Sequence, residues 1–152
     1  MNARDFLIAM VASLCMSACE HSDKSSVDLS AAQSTLNDNI ALWQRSNIPN
    51  YRYTYRRNCF CAPEESVVVV VANGQVSEAF RTPSGTYLSA QELTSVFPVE
   101  GLFSKVQEAI NKRAFNLTVV YHSQFGFPAS ISIDYNQNIA DDELNYTARD
   151  FQ

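Results

Sequence analysis

Apolar residues at Leu29, Ala32, Leu36, Ile40 and Trp43 recur at steps of three and four. That spacing puts them in one stripe of an amphipathic helix over residues 29–46. Asp28 or Ser30 can cap its start, and Asn47-Ile48-Pro49-Asn50 ends it, because proline cannot continue the hydrogen-bond ladder. From Tyr51 the period falls to two: Tyr51, Tyr53 and Tyr55 share one face of a strand, and Arg52, Thr54 and Arg56 share the other. A second strand covers Ser66 to Ala72, where the unbroken Val67 to Val71 run predicts burial on both faces or a central place in a sheet. Asn73-Gly74 is a two-residue hairpin signal, and Gln75 to Arg81 returns as the partner strand.

Beyond a polar connector from Thr82 to Glu92, Leu102, Phe103, Val106 and Ile110 mark one face of a second helix, from about Pro98 to Arg113. Leu117 to His122, Ser130 to Tyr135 and Leu144 to Phe151 then alternate as the strands of an antiparallel meander. The order αβββ-αβββ predicts an α+β domain, an antiparallel sheet of about five or six strands with two helices on one face. The order of elements repeats between the halves; the residues do not.

A chain of 152 residues holds one domain with a real core. A formal net charge of -5 argues against a nucleic-acid partner, which needs clustered Lys and Arg. The N-terminus changes the picture more. After Arg4, the apolar run Phe6 to Leu14 has the length of a signal-peptide core and is too short to span a bilayer. Met16-Ser17-Ala18-Cys19 follows and resembles a bacterial lipobox, in which the cysteine is lipidated and becomes the first residue of the mature chain. Residues 1–18 are therefore read as a signal peptide, 19–28 as the lipidated Cys19 and a flexible tether, and 29–152 as the domain. Glu20 after the cysteine resembles Gram-negative lipoproteins, which implies a lipid-anchored protein of the cell envelope, at the outer membrane and facing the periplasm. Cleavage removes Cys15 and lipidation blocks Cys19, which leaves Cys59 and Cys61 as the thiols of the mature chain.

Trp43, the Tyr51-x-Tyr53-x-Tyr55-x-Arg57-x-Cys59-Phe60-Cys61 run, Asn73-Gly74-Gln75-Val76, Leu102-Phe103, Gly126-Phe127-Pro128 and Ile133-Asp134-Tyr135 to Asp141-Asp142-Glu143 resemble an uncharacterised bacterial family of lipoproteins and secreted proteins, a domain of unknown function. The resemblance runs from about Ala41 to Phe151. It implies no activity. Two positions depart from it: His122 stands where an Asp is frequent, and Pro98 where a helix-capping Thr is common.

In an extended strand Cys59 and Cys61 project to the same face with Cα atoms about 7 Å apart, the outer limit for a disulfide, so closure needs a bulge or turn of the kind Pro63 favours. A structural disulfide suits an oxidising envelope. A redox couple tuned by Arg56 and Arg57 is the alternative, without a thioredoxin-like pattern behind it. Asp134, Asn136 and Asn138 have the spacing with which calcium loops begin, but Ile139 stands where such a loop needs Gly, and an acidic turn explains the same residues. His122 reads as a surface histidine beside a turn, and Glu64 and Glu65 as ion-pair partners for Arg56 or Arg57. No catalytic set, metal site or cofactor loop stands in the sequence, which argues against an enzyme. The expected function is a binding or interaction module that uses the strand end at Arg56, Arg57 and Phe60. Its expected partners are the bilayer, through the anchor, and a protein or other ligand of the envelope; thiol–disulfide exchange at Cys59 and Cys61 is the alternative.

Overall fold

Helix α1 spans Leu29–Ser46. Asp28 makes its N-cap: one carboxylate oxygen accepts the backbone N–H groups of Ser30 and Ala31 at 3.0 and 3.1 Å. Those bonds hold the carboxyl below its usual range, the contact to Ala31 most. Asn47 closes the other end in the left-handed region, at φ 47°. The computed structural model describes residues 27–59, 65–139 and 142–152; Cys19 and the residues read as signal peptide and most of those read as tether lie outside them.

Six strands follow: β1 (Tyr51–Cys59), β2 (Ser66–Ala72), β3 (Gln75–Thr82), β4 (Asn116–Tyr121), β5 (Pro128–Asp134) and β6 (Leu144–Arg149). Helix α2 (Val99–Asn111) lies between β3 and β4. A single 3-10 turn at Glu92–Ser95, not foreseen from the sequence, precedes it. The fold is α+β. Every strand pair is antiparallel, and the order across the sheet is β3-β2-β1-β6-β5-β4. Two three-stranded meanders thus meet where β1, the first strand of one half, pairs with β6, the last strand of the other. The halves are laid out in the same order, β3-β2-β1 and then β6-β5-β4, but equivalent strands such as β1 and β4 run in opposite directions, so a shift along the sheet does not superpose them.

The hairpin between β2 and β3 turns on Asn73 at φ 52° and Gly74 at φ 74°, the two positive angles of a type I′ turn. Its tip is tied back to the α1–β1 connection: Asn73 N–H donates to the Asn50 side chain at 2.9 Å, and Gly74 N–H to the Pro49 carbonyl at 2.8 Å. Strand β2 is interior, yet only one of its faces is covered. Val67, Val69 and Val71 are buried, while Val68 and Val70 stay half-exposed on the open side. The valine run therefore reflects the preference of a β-branched residue for a pleated surface, and not burial on both faces.

The covered face carries the tyrosines of β1. Helix α2 supplies Val99, Leu102, Phe103, Val106, Ala109 and Ile110 to this core, whereas α1 buries chiefly Leu36 and Trp43. Trp43 meets Tyr51, Phe127 and Phe151 edge to face, with ring centres 5.3, 6.1 and 5.8 Å away. Such contacts add about 0.5–1.5 kcal/mol each beyond the area they bury. Phe127 follows the turn Ser123 to Gly126, and Gly126, at φ 77°, lies against α1 so closely that a β-carbon there would stand 2.6 Å from the Asn39 carbonyl oxygen. His122, expected at the surface beside a turn, is half-buried at that turn. Its ring stacks on Phe125 and Phe127, and its Nδ1 accepts the N–H groups of Gln124 and Phe125 at 3.3 Å, so it braces this turn.

The start of α2 shows how the departure at Pro98 is accommodated. Pro98 occupies the N-cap position and offers no side-chain acceptor. The buried N–H of Val99 donates instead to the hydroxyl of Tyr51 at 2.8 Å, and the Tyr53 hydroxyl donates to the Phe97 carbonyl. Burial pushes the ionisation of both tyrosines far up, so both hydroxyls keep their protons.

Tyr51→Phe leaves the Val99 N–H without a partner and is expected to cost about 1–3 kcal/mol with little loss of secondary structure; chemical denaturation followed by circular dichroism measures it. Gly126→Ala combines a positive φ with a backbone clash and is expected to destabilise by about 1–3 kcal/mol. Unchanged stability would mean that the Phe125–Phe127 turn is not held against α1.

Candidate functional site

One end of the sheet gathers the C-terminus of α1, the β2–β3 turn and the N-terminus of α2. Between them lies a cavity of about 610 Å³, within the range of small-molecule sites. Ile40 and Trp43 of α1, Ile48 and Pro49 of the connection, and Phe103 of α2 supply apolar wall. Gln44, Asn47, Asn73, Ser104 and Gln107 place amide and hydroxyl groups among them. Gln107 is fixed by a reciprocal amide pair with Gln33, at 2.7 and 2.9 Å, which clamps α1 to α2.

The charged residue of the lining is Glu100, in the first turn of α2, where a carboxylate suits the positive end of the helix dipole. The Trp43 indole N–H donates to Glu100 Oε1 at 2.8 Å, and the Tyr51 hydroxyl approaches Oε2 at 3.4 Å. Glu100 is nonetheless exposed. A carboxylate accepts up to about four hydrogen bonds, so one that is aimed by two aromatic donors keeps lone pairs for a ligand. Each donor is itself fixed, Trp43 by its three aromatic neighbours and Tyr51 by the Val99 N–H. The site is preorganised in the sense that the core sets its orientation.

A second, more polar cavity of about 470 Å³ lies on the same face beside β1, lined by Tyr55, Arg57, Glu65, Arg81 and Glu92 among others. Its charges are largely used within the fold. Glu92 forms a capping box with Ser89: one oxygen accepts the Ser89 N–H and hydroxyl, both at 2.8 Å, while the other accepts from Arg81 at 2.7 Å. The Ser89 N–H, followed by Arg81, holds the Glu92 carboxyl down to about 2. Glu65 pairs with Arg81 at 3.8 Å, and not with Arg56 or Arg57 as the sequence suggested. Register explains it: Val67 stands opposite Arg81 across the β2–β3 pair.

Arg56 and Arg57, singled out in the sequence, do not share a face of the sheet. Arg56 is exposed on the open face of the sheet, opposite Thr147, whereas Arg57 is half-buried on the covered face beside Tyr55. Neighbours in a strand project to opposite sides, so the two guanidinium groups cannot serve one ligand. Phe60 and Cys61 lie outside the described residues. Cys59 is the last residue of β1, paired with Leu144, and is not a free thiol. The thiol redox alternative is not favoured: among the described residues Cys59 sits on a paired strand and at no helix N-terminus, and Arg56 points away from it. In the acidic loop, Asp134 and Asn136 each accept a backbone N–H two residues on, at 3.0 Å, which makes them turn formers; Asp141 is outside the described residues.

Glu100, and the part of Trp43 in orienting it, escaped sequence reasoning. Glu100 carries no periodic or motif signal; its partners are 57 and 49 positions away in the chain. Among the described residues no helix is long and apolar enough to cross a membrane.

No curated protein and no solved structure matches the chain. A family profile does, over residues 35–152, from the middle of α1 through the whole sheet. The protein therefore belongs to DUF6174, a family of unknown function.

Proposed function

We propose that the protein is a non-enzymatic binding module of the cell envelope, tethered through Cys19, and that its ligand occupies the cavity between α1, α2 and the β2–β3 turn. The observation that carries this reading is the cavity itself: apolar walls, convergent amides, and a carboxylate whose direction is set by Trp43 and Tyr51. Among the described residues, nothing beside that carboxylate supplies a nucleophile and base in contact, the minimum for acyl or phosphoryl chemistry. Such a pocket holds a ligand rather than transforms it.

The tether rests on the lipobox-like Met16-Ser17-Ala18-Cys19 and the apolar run before it. A chain joined to a membrane by the residues before α1 leaves the far end of the molecule free to meet ligand, and the cavity stands beside the C-terminus of α1. Pairing of Cys59 with Cys61 completes the proposal. What supports it is that Cys59 is not a free thiol and that the processing expected at the lipobox leaves Cys61 as the other unblocked cysteine. Along the nine-residue β1, at about 3.3 Å per residue, Cys59 lies roughly 26 Å from Tyr51 and the cavity, so the proposed part of the pair is to shape a strand end, away from the ligand.

Ser104 lines the cavity at an exposed position, so Ser104→Trp is expected to fill the mouth and leave the melting temperature nearly unchanged. Dialysis of both proteins against a small-molecule extract of the envelope, with mass spectrometry of what is retained, tests the reading: a compound held by the wild type and lost from the variant supports it, and identical retention overturns it. Cys19→Ser is expected to move the protein from the membrane to the soluble fraction or to block processing; a variant that still fractionates with the membrane and is processed normally would remove the tether from the proposal.

A further inference from the structure

Deepening the pocket reading above, and resting on it, we infer that the cavity selects an organic cation: a small molecule with a primary ammonium group on an apolar body. The argument is one of charge and geometry. Among the residues that line the cavity, Glu100 bears the charge, and no Lys or Arg faces it there. Two neutral donors, the Trp43 indole and the Tyr51 hydroxyl, orient the carboxylate without neutralising it. Two other carboxylates that pack against the fold are matched by cations, Glu92 by Arg81 and Glu108 by Lys105 and Lys112. Glu100 has no ion pair among the described residues, and it is presented to an opening instead.

The remaining polar groups suit the same ligand. An ammonium has three N–H donors and no acceptor. One can be taken by Glu100, and the side-chain oxygens of Gln44, Asn47 and Asn73 offer acceptors to the others. The body of the ligand would lie on Ile40, Ile48, Pro49 and Phe103, a surface that rewards removal from water by about 25 cal/mol per Å². An anionic ligand would meet Glu100 with no counter-charge. The protein's own net charge of -5 favours the approach of cations as well.

Trp43 is the single tryptophan of the chain, and its indole N–H touches the carboxylate in question, so its fluorescence reads this site and no other. The test titrates the full chain at pH 7 with 2-phenylethylamine and, separately, with 2-phenylethanol, which has the same body and no charge. The expected result is a saturable change in Trp43 emission with the amine at least about tenfold tighter than the alcohol, weakening as salt is raised. Glu100→Gln keeps an acceptor for the Trp43 N–H and should bring the two probes to within about twofold, while Ser104→Phe, which fills the mouth without adding a second tryptophan, should abolish both responses. Equal binding of amine and alcohol by the wild type overturns the cation inference and leaves the ligand pocket standing. A response to neither probe overturns it too, with the dialysis comparison of wild type and Ser104→Trp deciding the pocket separately. A response to a lysine-rich peptide but not to the amine would replace the small molecule with a protein partner and so overturn the inference in its present form.

Discussion

The hydroxyl of Tyr51 is the point on which this structure turns. It accepts the first N–H of α2, a donor that Pro98 cannot satisfy, and it stands 3.4 Å from the carboxylate of the next residue, Glu100. Helix termini leave several N–H groups unpaired, and a buried one costs about as much as a lost hydrogen bond. A strand residue thus meets that cost for a helix far away in sequence, and in doing so fixes where the helix begins. Had a side chain at position 98 capped the helix, its N-terminus would be complete in itself and Tyr51 would be one packing residue among many. Because the cap comes from β1, the sheet, the helix and the direction of Glu100 are set together.

Trp43 joins the other helix to the same point. Its ring is wedged among Tyr51, Phe127 and Phe151, which come from three separate parts of the chain, and its N–H points to Glu100. The close approach of Gly126 to α1 lets the Phe125–Phe127 turn reach that cluster. Most of α1 contributes little to the core, with Leu36 and Trp43 its buried residues, so the helix is held largely by the aromatic cluster and the Gln33–Gln107 pair. A helix seated by one aromatic anchor at its C-terminal end leaves a gap beside that anchor, and the gap is the cavity.

Period and punctuation made the elements legible. The step from three-and-four spacing to alternation at Tyr51, the Asn73-Gly74 turn and the stop at Asn47-Ile48-Pro49 are local signals, each with a local physical cause, and the bounds of α1 and β2 follow from them. What could not be read is what depends on pairing across the chain. The β1–β6 junction has no signature in either strand, so the strand order across the sheet was invisible. The partner of Glu65 was misjudged because Arg81 is brought to it by register and not by proximity in sequence. The tyrosines read correctly as sharing one face of a strand, but their hydroxyls, which do the specific work, were assigned no partners. Glu100 is an ordinary acidic residue in a first helical turn until Trp43 is placed beside it.

The two ends of β1 explain why the most conspicuous residues and the best-formed site do not coincide. The strand starts at the aromatic cluster and the cavity, and it ends at Cys59 on the opposite side of the molecule. Cysteines and arginines draw the eye in a sequence because their chemistry is carried by single residues. A pocket is carried by an arrangement, here the C-terminus of one helix, the N-terminus of another and a hairpin tip that reach the same end of a sheet. Strand polarity enforces that convergence: β1 leaves the end at which α1 arrives, β2 returns to it and turns at Asn73-Gly74, and α2 starts there because Tyr51 holds its first N–H. The same antiparallel logic sends the cysteine end away, so a change at Cys59 can reach the cavity only along the full length of the strand.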